Sequence, residues 1–68
     1  MTTGKVKWFN AHKGYGFIQP DDGGEEVFVD ICAVEKAGLT SLPEGTRLSY
    51  DLMIGRNGKR SADHLRAE

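Results

Sequence analysis

Two short runs, separated by a glycine-rich turn, carry apolar side chains on both of their faces. In Tyr15–Gln19, Tyr15 and Phe17 fall on one side and Gly16 and Ile18 on the other. In Glu26–Asp30, Val27 and Val29 oppose Phe28 and Asp30. Between them, Pro20-Asp21-Asp22-Gly23-Gly24 has the residues a tight turn favours. Paired antiparallel, the two strands set Ile18, Val27 and Val29 on one face and line up Tyr15, Phe17 and Phe28 on the other. Packing the rings inside a sandwich instead would strand the two valines and the isoleucine in water. The rings are therefore expected outside. A cluster of exposed aromatic rings is costly for a soluble monomer and implies a ligand.

The rest of the chain fits the same pattern of short strands and tight turns, punctuated by 9 glycines. A first strand is expected over Lys5–Asn10 with Val6 inward, followed by the loop Ala11-His12-Lys13-Gly14. Strict alternation would put Trp8 on the same side as Val6, so a bulge near Trp8 is needed to turn its ring outward. Residues 31–45 form a longer connection, with a helical turn or two in Ile31–Ala37 stopped at Gly38 and a β-turn over Leu42-Pro43-Glu44-Gly45 with Pro43 second. A fourth strand, Arg47–Ile54, sets Leu48, Tyr50, Leu52 and Ile54 against Arg47, Ser49, Asp51 and Met53. Asn57-Gly58 marks a hairpin into a fifth strand, about Lys59–Arg66, which gives Ala62 or Leu65 to the core. The order and size predict an all-β fold: a five-stranded antiparallel Greek-key barrel of the OB type, as one domain over residues 1–68. A domain this small has marginal stability, and a ligand would add to it by mass action.

Net charge is −1, which by itself argues against a strongly basic nucleic-acid binder. The charges are segregated, however. Residues 1–20 carry Lys5, Lys7 and Lys13 and no acid, whereas residues 21–35 carry Asp21, Asp22, Glu25, Glu26, Asp30 and Glu35 and no base. One face can thus be positive on an acidic molecule. The acids at 21–26 read as a solvated hairpin, and Arg56, Lys59 and Arg60 as either backbone contacts or solubilising charges on an exposed turn. A single cysteine, Cys32, excludes an internal disulfide and is read as half-buried. If exposed, it would permit disulfide-linked dimers, but a monomer is expected. No apolar run is long enough for a membrane span or signal peptide, and a cytoplasmic location is expected. His12 and His64 have no third ligand at metal spacing, and no nucleophile–base pair, paired carboxylates or phosphate-cradling loop is visible. No metal, cofactor or catalysis is expected.

Flat rings flanked by Lys7 and Lys13 suit a flexible nucleic-acid strand, whose bases stack on the rings while lysines attract phosphates. A partner protein is the alternative occupant of such a patch. At these residues a resemblance appears. Gly4-Lys5-Val6-Lys7-Trp8-Phe9-Asn10, Lys13-Gly14-Tyr15-Gly16-Phe17-Ile18 and Val27-Phe28-Val29-Asp30-Ile31 resemble the bacterial cold-shock domain, the last two blocks matching its RNP1-like and RNP2-like motifs. The likeness runs over essentially the whole chain. It implies a five-stranded barrel that binds pyrimidine-rich single-stranded RNA and DNA, acting as an RNA chaperone in cold adaptation or regulation of gene expression. Carried over by position, the implied contact residues are Lys7, Trp8, Phe9, Lys13, Tyr15, Phe17 and Phe28.

Asp30 departs from the family, which usually has a histidine there. A stacking surface is lost and a carboxylate is gained that repels phosphate and can accept from a cytosine or adenine amino group. Weaker binding or a shifted base preference is expected. Ile31 and Leu39 stand where many members carry aromatic residues, and Cys32 replaces a serine able to cap the helical turn.

Overall fold

Strands form where small and β-branched side chains alternate with polar or aromatic ones, so that each strand has one face to bury. The computed structural model describes residues 2–67; Met1 and Glu68, the ends of the expected domain, lie outside the described residues. Its elements are β1 (Thr2–Asn10), β2 (Tyr15–Pro20), β3 (Val27–Asp30), α1 (Ile31–Lys36), β4 (Arg47–Ile54) and β5 (Arg60–Ala67). The strands close a barrel in the order β1-β2-β3-β5-β4, with β4 returning to pair with β1. The five strands, the connecting helix and the closed barrel agree with the sequence-based expectation. One pairing is not antiparallel: β3 meets β5 in parallel through Phe28 and Ser61.

The core holds Val6, Ile18, Val27, Val29, Val34, Leu42, Leu48, Tyr50, Ala62 and Leu65. Two irregularities let the strands fill it. Val6 pairs with Ile18 and Trp8 pairs with Phe17, so β1 advances two residues while β2 advances one. Lys7 is the extra residue of this bulge. Beyond it the phase reverses: Trp8 points out and Phe9 points in. On β5, Ala62 and Leu65 are both buried although three positions apart, which alternation forbids. A register shift opposite Ser49–Asp51 and a left-handed His64 (φ 51°) make the correction. The sequence alone leaves Ala62 and Leu65 as alternatives; the bulge places both in the core.

Gly16 is what allows the β1 bulge. A Cβ there would lie 2.3 Å from the Trp8 carbonyl oxygen and 2.7 Å from Phe9 Cα, both backbone atoms of β1. The Phe9 ring occupies the space a side chain would need, its Cδ1 being 2.8 Å from the same point.

Two turns differ in detail from expectation. The hydrogen-bonded turn before β4 runs from the Pro43 carbonyl to the Thr46 N–H (3.1 Å), so Pro43 is its first residue, and Gly45 supplies the positive φ. Ile54, which alternation sets on the face of Leu48 and Tyr50, is 65% exposed, because the β4–β5 hairpin continues past the end of the core. Helix α1 begins at an N-cap that is Asp30: its carboxylate accepts the Cys32 N–H at 2.9 Å. The cap is thus two residues ahead of Cys32, the position where the family's serine is expected to cap.

Tyr50 is fully buried and its hydroxyl has no protein hydrogen-bond partner among the described residues. Burial pushes its phenol above the ordinary value, and the Asp22 and Asp21 charges add to this. A group bound to its proton more tightly when folded supports the fold below its unfolded pKa of about 10 and loses that support as pH rises further.

Gly16→Ala forces β1 away at the bulge and is expected to destabilise by roughly 1–3 kcal/mol or more in urea unfolding. A neutral result would show that the bulge is not constrained there. Tyr50→Phe removes a desolvated hydroxyl and is expected to stabilise by about 1 kcal/mol while flattening the loss of stability above pH ~10. A drop in stability of that size would reveal a hydrogen bond to this hydroxyl.

Candidate nucleic-acid interface

Trp8 from β1, Tyr15 and Phe17 from β2, and Phe28 from β3 form one continuous ring surface on the outside of the barrel. Trp8 lies 5.5 Å from Tyr15 and 5.3 Å from Phe17, centroid to centroid. Phe28 lies 5.8 Å from Tyr15, nearly parallel to it, and 5.9 Å from Phe17, nearly perpendicular. Register explains the cluster, since Trp8 pairs with Phe17 and Phe17 with Phe28 across three adjacent strands. Edge-to-face and offset contacts of this kind add about 0.5–1.5 kcal/mol per pair. They also shield the rings partly: Trp8 is 37% exposed, and the other three are half-buried by one another.

Phe9 stands apart from this surface. It faces inward across from Gly16, is half-buried, and packs against the core. The sequence reading set it beside Trp8 because the two are neighbours, but the bulge that turns Trp8 out turns Phe9 in.

The cations around the rings differ in how free they are. Lys7 pairs with Glu26 from the β2–β3 connection. Both groups are substantially exposed, so the pair is worth at most about 1 kcal/mol and a phosphate can displace the carboxylate. Lys13 sits in the β1–β2 turn, where its backbone N–H donates to Asn10 Oδ1 at 3.1 Å, and its ammonium has no ion-pair partner among the described residues. Lys59 lies over the Phe28 ring, 5.4 Å from its centroid. The sequence leaves Lys59 as either a backbone contact or a solubilising charge; nothing in a hairpin sequence says which way its lysine folds.

The acidic hairpin is tied to the barrel rather than simply solvated. Asp21 accepts from the Thr3 hydroxyl at 2.7 Å and from Arg47 at 2.5 Å. The Thr3 hydrogen bond and the Arg47 guanidinium hold its carboxyl below the ordinary value. Support from this group is therefore present above pH ~4 and fades as the pH falls through its lowered pKa. Asp30 pairs across from Tyr15 at the edge of the ring surface, where it caps α1. Cys32 is exposed rather than half-buried. Hydrogen bonding to Asp30 and that residue's charge push its thiol up, which keeps it protonated at neutral pH. Among the described residues no helix is long and apolar enough to cross a membrane. None of the His, Cys, Asp and Glu described gather into a group of three able to hold a metal.

The geometry agrees with what comparison with known proteins finds. The family described as "'Cold-shock' DNA-binding domain" matches residues 2–67. A relative named probable cold shock protein y4cH, from Sinorhizobium fredii, is 62% identical over 68 residues, covering 98% of this chain and 99% of the relative. Cold shock protein CspA of Rhizobium meliloti is 57% identical over 98% of this chain and 99% of its own length. Cold shock-like protein CspD of Bacillus cereus is 46% identical over 93% and 94%. The chain belongs to the cold-shock domain family of nucleic-acid-binding proteins.

Proposed function

We propose that the chain binds single-stranded RNA and DNA by stacking unpaired bases on Trp8, Tyr15, Phe17 and Phe28. The observation that carries this is the ring surface itself: four rings from three strands, each within 6.3 Å of a neighbour, on one side of the barrel. A duplex hides its base faces inside the stack, so such a surface has little to hold on a paired helix. A single strand presents one face per base, each worth roughly 1–3 kcal/mol when stacked. Lys13, Lys59 and, once released from Glu26, Lys7 supply the phosphate contacts.

Capturing strands that open transiently shifts the pairing equilibrium without fuel, because the protein has differential affinity for the open state. This is the chemistry of an RNA chaperone, and it fits a role in cold adaptation or control of gene expression, when weak structures in RNA persist. Pyrimidine-rich strands suit it best, since they stack least on themselves.

Trp8 is the only tryptophan and lies in the ring surface, so its fluorescence reports binding directly. Short single-stranded pyrimidine oligonucleotides are expected to quench it saturably at low micromolar concentration, and the matching duplex is not. Phe17→Ala and Phe28→Ala are each expected to weaken binding about 5- to 100-fold, the weight of one stacked base. Added salt is expected to weaken it only modestly, because few cations take part. If no single strand quenches Trp8 and the rings instead capture a protein partner, this function is wrong.

A further inference from the structure

On the α1 side of Phe28 the ring surface drops into an open cavity of about 250 Å³, between β3, α1 and β5. Its walls include Phe28, Asp30, Cys32, Lys36, Met53 and Asp63. Asp30 and Asp63 line it with Lys36, and the Lys59 ammonium lies over the Phe28 ring at its rim, so the charges balance, phosphate is drawn to the lysines, and beside Asp30 a neutral ligand edge bearing hydrogen-bond donors is favoured. Asp30 is held in place by the fold. One of its oxygens accepts the Cys32 N–H at 2.9 Å, which fixes the carboxylate at the mouth of the cavity, two residues beyond Phe28 on the same outward face. Among the described residues, the Cys32 thiol alone competes for the remaining acceptor capacity, and a thiol is a weak donor.

Building on the stacking function proposed above, we infer that this cavity is a base-reading pocket that selects cytosine over thymine or uracil. A cytosine stacked at Phe28 turns its exocyclic amine to the Asp30 carboxylate, while the Lys36 ammonium serves the ring's N3 and O2 acceptors. Thymine and uracil place a carbonyl where the amine would be, and it faces the carboxylate unfavourably. Asp30 is thus a specificity-determining residue as well as the cap of α1.

Asp30→Asn separates these two roles. Asparagine caps a helix as well as aspartate does, so α1 is retained, but the free end of the side chain now offers N–H donors. Trp8 quenching is measured with oligo-dC and oligo-dT of equal length, near neutral pH and at fixed salt. The native protein is expected to bind oligo-dC roughly tenfold more tightly, the weight of one hydrogen bond to a charged acceptor. In Asp30→Asn that ratio is expected to fall to about one or to invert. Alkylation of Cys32 by a maleimide locates the effect, and saturating oligo-dC is expected to slow it. Equal or tighter binding of oligo-dT by the native protein overturns the inference while leaving the stacking function standing. So does an unchanged ratio in Asp30→Asn, or a Cys32 that oligo-dC leaves unprotected. Failure of both oligonucleotides to quench Trp8 overturns the stacking function and this pocket with it.

Discussion

The close approach of β1 to Gly16 is the contact on which the ring surface depends. A strand that alternates strictly cannot bury Val6 and expose Trp8. The extra residue, Lys7, reverses the phase, and the reversal is possible because β2 offers a glycine where β1 presses in. The same event determines three side chains at once. Trp8 joins Phe17 outside, Phe9 fills the space above Gly16 inside, and Lys7 is thrown toward Glu26. Packing and function are therefore coupled through a single backbone irregularity, and neither can be altered there without the other.

Much of this was legible in the sequence because each element rests on a local rule. Alternation in Tyr15–Gln19 and Val27–Asp30 settles which residues face the core, since any one-residue slip would expose Ile18, Val27 and Val29 together. The need for a bulge near Trp8 could be deduced from the same rule. Its consequence for Phe9 was missed, because a bulge acts on every residue that follows it. The paired burial of Ala62 and Leu65 was hidden for a related reason: His64 carries no sign, such as a glycine, that marks a left-handed residue. Ile54 illustrates the opposite failure, where alternation continues but the core does not. How Lys59 and Lys7 are engaged depends on contacts between elements far apart in the chain, and no periodicity reports those.

The electrostatic design resolves the apparent conflict between an acidic chain and a polyanionic ligand. Asp21, Glu25 and Glu26 are each matched to a cation, Arg47, Arg60 and Lys7 in turn, all at exposed positions. Such pairs stabilise the fold little. Their effect is to place the negative charge on the hairpin and keep it near its own counter-charges. With the field around the rings so weakened, affinity must come from stacking. Under the proposed function, a surface of that kind holds single strands without condensing on duplex.

Under the inference above, Asp30 serves fold and ligand without conflict. An N-cap uses one acceptor of a carboxylate that has several. The helix it starts is short, six residues, and derives its stability from burying Ala33 and Val34 rather than from its own hydrogen bonds. The cap therefore fixes a direction more than it adds energy. It holds the carboxylate beside Phe28, on a cavity that Cys32 and Lys36 also line. A histidine at this position would offer a ring to stack on but could not accept the Cys32 N–H in its protonated form. An aspartate gives up that stacking area and gains an ordered acceptor, which in the pocket inferred above exchanges general affinity for the ability to tell one pyrimidine from another.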